Sequence, residues 1–165
     1  MFALTDTELA VTCIADEAAN QPYEGKVAVG CVILNRQKLR YASDGTLLGT
    51  VLHKWAFSGF WAQMVHGAYK QTQFDLAGAE TLAAQLHAEF SRQAAWADCA
   101  RAWVDAIAWS TGRPLSFNPG PAFAGLTPRT VLYLNPKVSS APWATPAALD
   151  AVIFQHSFFH DGTVH

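Results

Sequence analysis

The chain has 165 residues, enough for a single domain that buries roughly 70% of its unfolded surface without staples. Only 15% of residues are charged, against a typical ~25%, while 51% are hydrophobic and 12% aromatic, which excludes a disordered segment. With 11 basic and 13 acidic residues and a net charge of −2, the chain lacks the phosphate-tracking patch of a nucleic-acid binder; Arg36, Lys38 and Arg40 form its one short basic stretch.

Met1-Phe2-Ala3-Leu4-Thr5-Asp6 has neither the basic start nor the apolar centre of a signal peptide, so synthesis in the cytoplasm is expected. Thr5 and Glu8 form an S/T-x-x-E capping box, with Leu4 as staple, that opens a first helix. Asn20-Gln21-Pro22 ends it. A second helix is predicted over Tyr23 to Leu39. Its run Val27 to Leu34 is apolar on all sides, which marks a central buried helix, yet falls well short of the ~20 residues that cross a bilayer. Membrane insertion is therefore not expected. Ala28, Gly30 and Cys31 are small enough for a neighbouring helix to approach closely. Ser43-Asp44-Gly45 marks a turn before a short helix around Thr46 to Trp55, and the aromatic loop Trp55-Ala56-Phe57-Ser58-Gly59-Phe60-Trp61 follows.

The Ala-rich segment from Gly78 to Ser110 reads as two helices or one broken helix, with Ser91 as internal cap and Gly112 and Pro114 as stops. Residues 112–128 read as irregular loop. Thr130 to Leu134 is strand-like, as is a piece near Val152 to Phe159. Trp96, Trp103 and Trp109 share a helical stripe and are expected in the core. Cys13, Cys31 and Cys99 are odd in number and lack metal-ligand spacing, so they read as small buried hydrophobes. The expectation is one α+β domain over residues 1–165, mainly helical with a small C-terminal antiparallel sheet. It is expected to be a monomer that needs no metal or other cofactor.

One residue breaks the pattern of the first helix. At about 100° per residue from Leu9, Cys13 falls at about 40°, Ala10 at about 100° and Ile14 at about 140°. Glu17 falls at about 80°, inside that apolar arc, whereas Asp16 falls at about 340°, on the polar edge with Thr12. A carboxylate on a core-facing stripe is costly unless paired or protonated. Desolvation there raises its pKa, as a general acid requires. A bland arrangement, Glu17 salt-bridged to Arg36 or capping the next helix, accounts for the same pattern.

The segments Glu17-Ala18, Glu24-Gly25, Val27-Ala28-Val29 and Val32-Ile33-Leu34-Asn35-Arg36 resemble, in order and spacing, the signature of the SleB/CwlJ-type cell-wall hydrolases. These are spore-cortex-lytic enzymes and related bacterial and phage peptidoglycan hydrolases. Looser matches follow at Val51-Leu52 with Phe57-Ser58, at Tyr133-Leu134-Asn135, at Trp143 and at His156-Ser157-Phe158. The strong match covers residues 10–36, and residues 62–127 carry almost none. The chain departs from the family in Ala15-Asp16 before the Glu, in Asn20-Gln21-Pro22 after it, and in Arg129 to Leu132 before Tyr133.

The resemblance implies a lysozyme-like fold and cleavage of peptidoglycan glycan strands between N-acetylmuramic acid and N-acetylglucosamine, with the family's catalytic Glu at Glu17. It is similar to the lytic transglycosylases, in which one carboxyl makes both proton transfers and the muramic C6 hydroxyl closes a 1,6-anhydro ring. Plain hydrolysis needs a second carboxyl, ~5–5.5 Å away for retention or ~6.5–9.5 Å for inversion. Glu24, Asp44 and Asp75 are the candidates.

Sugar-binding clefts combine aromatic faces with a few fixed polar groups. Phe57, Ser58, Tyr133, Asn135, Trp143 and His156 are the residues expected to line one, each with an ordinary structural role as the alternative. Asn35 and Arg36 are expected to anchor the second helix to a loop, with Arg36 as a carboxylate's counter-ion. Two other functions compete. His53, His66, His87, His156, His160 and His165 would suffice in number for a zinc amidase or peptidase, yet none forms a recognised ligand spacing. A non-catalytic glycan-binding module is the other. A wall-cutting domain with neither signal peptide nor wall-binding domain fits a phage endolysin that reaches the wall after release.

Overall fold

The computed structural model describes residues 4–54, 56–57, 60, 75–137 and 139–163. Helix α1 (Asp6–Ala18) begins with the expected capping box: Glu8 N donates to Thr5 Oγ1 at 3.3 Å and Thr5 N donates back to Glu8 Oε2 at 2.8 Å. Helix α2 (Tyr23–Leu39) runs through the centre and is buried continuously from Gly25 to Ile33, which explains its lack of a polar face. Arg40 closes it in the left-handed conformation.

A short α3 (Leu47–Val51), capped by Thr46, is about half as long as the segment expected there. The Ala-rich segment is two helices, α4 (Leu76–Phe90) and α5 (Trp96–Ser110). Asp75 caps α4 through the Ala77 and Gly78 amides, and Ser91 ends it. Helix α5 crosses α2 at Gly30, where an added Cβ would stand 2.7 Å from the Ala106 Cβ. The small residues of α2 thus permit the close approach expected of them. Trp103 is buried in the core, with Trp96 and Trp109 packed against it.

The loop after α5 contains one 3-10 turn (Phe123–Gly125) and is pinned at two points. Asp105 accepts from Ser116 N, Ser116 Oγ and Tyr23 Oη, and Glu24 Oε1 accepts from Gly120 N at 2.5 Å. Strands β1 (Thr130–Leu134), β2 (Leu149–Ile153) and β3 (His156–His160) form an antiparallel sheet in the order β1-β3-β2. The strand expected near Val152 to Phe159 is therefore a hairpin. It turns at Phe154, whose φ of 53° is unusual for a residue with a Cβ and gives no Gly or Asn signal in the sequence. Asp150 ties the three strands together at one end, accepting from Thr130 Oγ1 at 2.6 Å and contacting His160 Nδ1 at 2.7 Å. The class is α+β, mainly helical, as expected.

Two side chains join α2 to the sheet. Asn35 Nδ2 donates to Thr127 O at 2.9 Å and Thr130 O at 2.8 Å, where the chain enters β1. Arg36 Nε donates to Val131 O at 2.6 Å and its Nη1 to Ala56 O, while the guanidinium lies 4.7 Å from the centroid of the Phe57 ring. These bonds anchor the helix as expected. They commit the Arg36 guanidinium to backbone carbonyls and an aromatic face, and the charge of Glu17 acts on it as well.

Candidate active site

The last turn of α1 meets the sheet at an open cleft of about 670 Å³. Asp16 and Glu17 come from α1, Asn20 and Gln21 from the turn after it, Phe90 from the end of α4, and Arg36 from α2. Tyr133 and Asn135 come from β1 and its exit, Trp143 from the following loop, Gln155 from the β2–β3 turn and His156 from the start of β3. A larger hollow of about 820 Å³, beside Lys38, Arg40 and Trp109, is lined by no carboxyl side chain. The cleft at α1 is therefore the candidate site.

Five of the residues singled out in the sequence meet there: Glu17, Tyr133, Asn135, Trp143 and His156. Phe57 does not. It is 2% exposed, in the main core beneath Arg36, so it supports the wall of the site and offers no face to a ligand. Phe60 is buried as well. Ser58, Trp55 and Trp61 lie outside the described residues. Glu24, Asp44 and Asp75 are also elsewhere, holding Gly120, Thr46 and the start of α4 respectively.

Four buried side-chain polar atoms among the described residues make no well-formed hydrogen bond: Asp16 Oδ2, Gln21 Oε1, Tyr133 Oη and His156 Nδ1. All four belong to residues that line this cleft. Native proteins satisfy nearly all buried polar groups, so a concentration of exceptions in one concavity singles it out as the candidate site.

Charge in the cleft is arranged unevenly. Burial, then the charges of Glu17 and Glu89, push the Asp16 carboxyl up to about 7. Its place in the last turn of α1, which carries no basic residue, sets it against the helix dipole as well. Tyr133 Oη is within reach of Glu17; burial first, then the Glu17 charge, raises the phenol well above its ordinary value. Burial lowers His156, whose ring lies 5.2 Å from that of Tyr133. Neutral imidazole and neutral phenol therefore flank Glu17 at physiological pH.

Secondary contacts hold these groups in place. Lys26, itself buried, donates through Nζ to Gln21 O and fixes the turn after α1. Gln21 Nε2 reaches Asn20 Oδ1 at 3.2 Å and Gln155 Oε1 at 3.4 Å, joining that turn to the sheet. Asn135 Oδ1 accepts from Lys137 N at 3.0 Å, a local turn that carries the chain out of β1. Trp143 stands edge-on to Phe159 at 5.5 Å and is 36% exposed at the rim.

Sequence reasoning missed Asp16, Gln21, Gln155 and Phe90. Asp16 left one local signal, an acid in the final helical turn, where the dipole disfavours it. Among the described residues no group of three or more His, Cys, Asp or Glu is gathered to hold a metal ion, and His66 and His165 lie outside them. No described helix is long and apolar enough to cross a membrane. Comparison with family models, curated proteins and solved structures gives no match.

Proposed function

We propose that this protein cleaves peptidoglycan glycan strands between N-acetylmuramic acid and N-acetylglucosamine, as a lytic transglycosylase with Glu17 as general acid and base. The observation that carries the reading is that Glu17 lines the cleft in which the unsatisfied buried polar atoms collect. The resemblance of residues 10–36 to the SleB/CwlJ-type hydrolases, with the lysozyme-like fold it implies, supports the choice of substrate.

In this mechanism Glu17, protonated in the reacting complex, gives its proton to the glycosidic oxygen as the muramic C1–O bond breaks. The resulting carboxylate takes a proton from the muramic C6 hydroxyl, whose oxygen closes on C1. Glu17 ends protonated, and one anhydro sugar and one free hydroxyl replace the glycosidic bond. Tyr133 and His156, both neutral, offer hydrogen bonds beside the reacting carbons without competing for the proton. Trp143 offers a ring face at the rim for a sugar. The enzyme works on the wall as a monomer without a cofactor, and a phage endolysin made in the host cytoplasm is the setting that fits.

The presence of a second carboxyl, Asp16, in the same cleft favours one other reading, a muramidase that uses water. Mass spectrometry of muropeptides released from purified peptidoglycan separates the two. Anhydro ends, lighter by one water, are expected; hydrated reducing ends would establish the muramidase, and no new glycan ends would overturn the glycosidase reading.

A further inference from the structure

Asp16 and Glu17 are consecutive, so at about 100° per residue their side chains leave α1 in different directions. Tyr133 senses the Glu17 charge, and Asp16 senses that of Glu89 at the end of α4. Phe90, the neighbour of Glu89, lines the cleft. The cleft therefore extends past Glu17 to a second stretch of wall, formed by Asp16 and Phe90. There Asp16 Oδ2 is sealed from solvent without a hydrogen bond, which favours the neutral acid, while the side chain as a whole is only partly buried and lines the cleft.

Resting on the glycan-cleaving reading, we propose that Asp16 is a substrate-contacting carboxylic acid, whose hydroxyl donates a hydrogen bond to a glycan oxygen on the α4 side of Glu17. A carboxyl in this position has two states with opposite effects. Protonated, it is neutral and donates to a hydroxyl, ring or acetamido oxygen. Ionised, it only accepts, and it faces that oxygen with a like partial charge. Phe90, which lines the same cleft, is an apolar side chain of the kind that suits the carbon side of a sugar ring.

The proton is held by groups on each side. Glu17 on α1 and Glu89 on α4 both favour the neutral acid. Other ionisable groups around the site are His87 on α4, which approaches Thr12 one turn earlier on α1, Arg36 on α2, Tyr133 on β1 and His156 on β3. With Asp16 raised to about 7, glycan affinity falls as pH rises through neutrality.

Isothermal calorimetry with chitotetraose, the N-acetylglucosamine tetramer, tests this on the wild-type protein and on Asp16→Asn. Asn is neutral, nearly isosteric and still a donor. Wild-type affinity is expected to fall about 3–10-fold between pH 6 and 8.5, the range one net hydrogen bond supplies. Asp16→Asn is expected to change less than twofold. His87 and His156 are common to both proteins, so the difference isolates Asp16. Equal pH slopes would overturn the Asp16 assignment while leaving glycan binding standing. Absence of chitotetraose binding at every pH would overturn the glycan-cleaving reading along with it. Should Asp16→Asn fail to fold, proton uptake on binding near pH 7, measured on the wild-type protein in two buffers of different ionisation enthalpy, decides. A fraction of a proton taken up supports the assignment, and none overturns it.

Discussion

Asp16 and Glu17 stand side by side in the last turn of α1 and line one cleft, and the charge of Glu17 is the largest contribution after burial to holding the proton on Asp16. Its effect on stability has a definite sign. The folded carboxyl binds its proton up to about pH 7, while its ordinary value is 3.8, so the native state carries more protons between those limits. Stability conferred by the neutral acid is therefore complete at the acidic end and is lost as pH rises towards 7. At ~1.4 kcal/mol per pKa unit, the loss amounts to a few kcal/mol at most. Asp16→Asn is expected to unfold at increasingly higher temperature than wild type as pH goes from 5 to 7, with the gap constant above about 8. A gap that does not vary with pH would contradict the assigned protonation.

Gly30 sets the distance between α2 and α5. A Cβ there would lie 2.7 Å from the Ala106 methyl carbon, inside any real contact, and Ile14 and Trp103 close the remaining space. Gly30→Val is expected to cost about 1–3 kcal/mol, the range for overpacking a well-filled core. Chemical denaturation with urea measures it. A wild-type midpoint would show that the helices separate freely at this crossing.

Arg36 is expected to tolerate Lys poorly despite the conserved charge. Lysine has a single compact ammonium. It lacks the planar fork that reaches Val131 O and Ala56 O together and covers the Phe57 ring. Arg36→Lys is expected to lower stability by about 1–3 kcal/mol, the cost of leaving a buried acceptor unmet. Its catalytic rate is expected to fall too, because Arg36 holds the β1 backbone that carries Tyr133. Thermal unfolding and initial rates of wall lysis test the two parts separately.

Trp143 is at the rim, half-exposed and in contact with Phe159, so its removal affects binding more than folding. Trp143→Ala is expected to raise KM for glycan about 2–10-fold, in line with an aromatic contact of ~0.5–1.5 kcal/mol, with kcat nearly unchanged. An unchanged KM would remove Trp143 from the substrate path.

What was legible in the sequence was local or periodic. The Thr5/Glu8 box, the uniformly apolar α2 and the alternation of Thr130 to Leu134 each state their own structure, and the observed bounds of α2 and β1 coincide with the expected ones. Tyr133 was legible because a polar ring between Leu132 and Leu134 has to face the other way along a strand. Phe57 differs from its expected place for a tertiary reason: a loop aromatic looks exposed until the partner that covers it, Arg36 from α2, is known. The β2–β3 hairpin was hidden because its turn uses Phe154 at positive φ. Asp16 falls on the polar edge of α1 on a helical wheel, since the wheel describes one helix and cannot include Glu89 and Phe90 arriving from α4.

The most direct test of the account is release of soluble muropeptides from purified peptidoglycan by wild-type protein and by Glu17→Gln, with melting curves recorded for both. The account predicts release by the wild-type protein. For Glu17→Gln it predicts loss of at least about 100-fold in rate, the lower range for removal of a general acid or base, with an unchanged melting curve. Release by Glu17→Gln at the wild-type rate would contradict it.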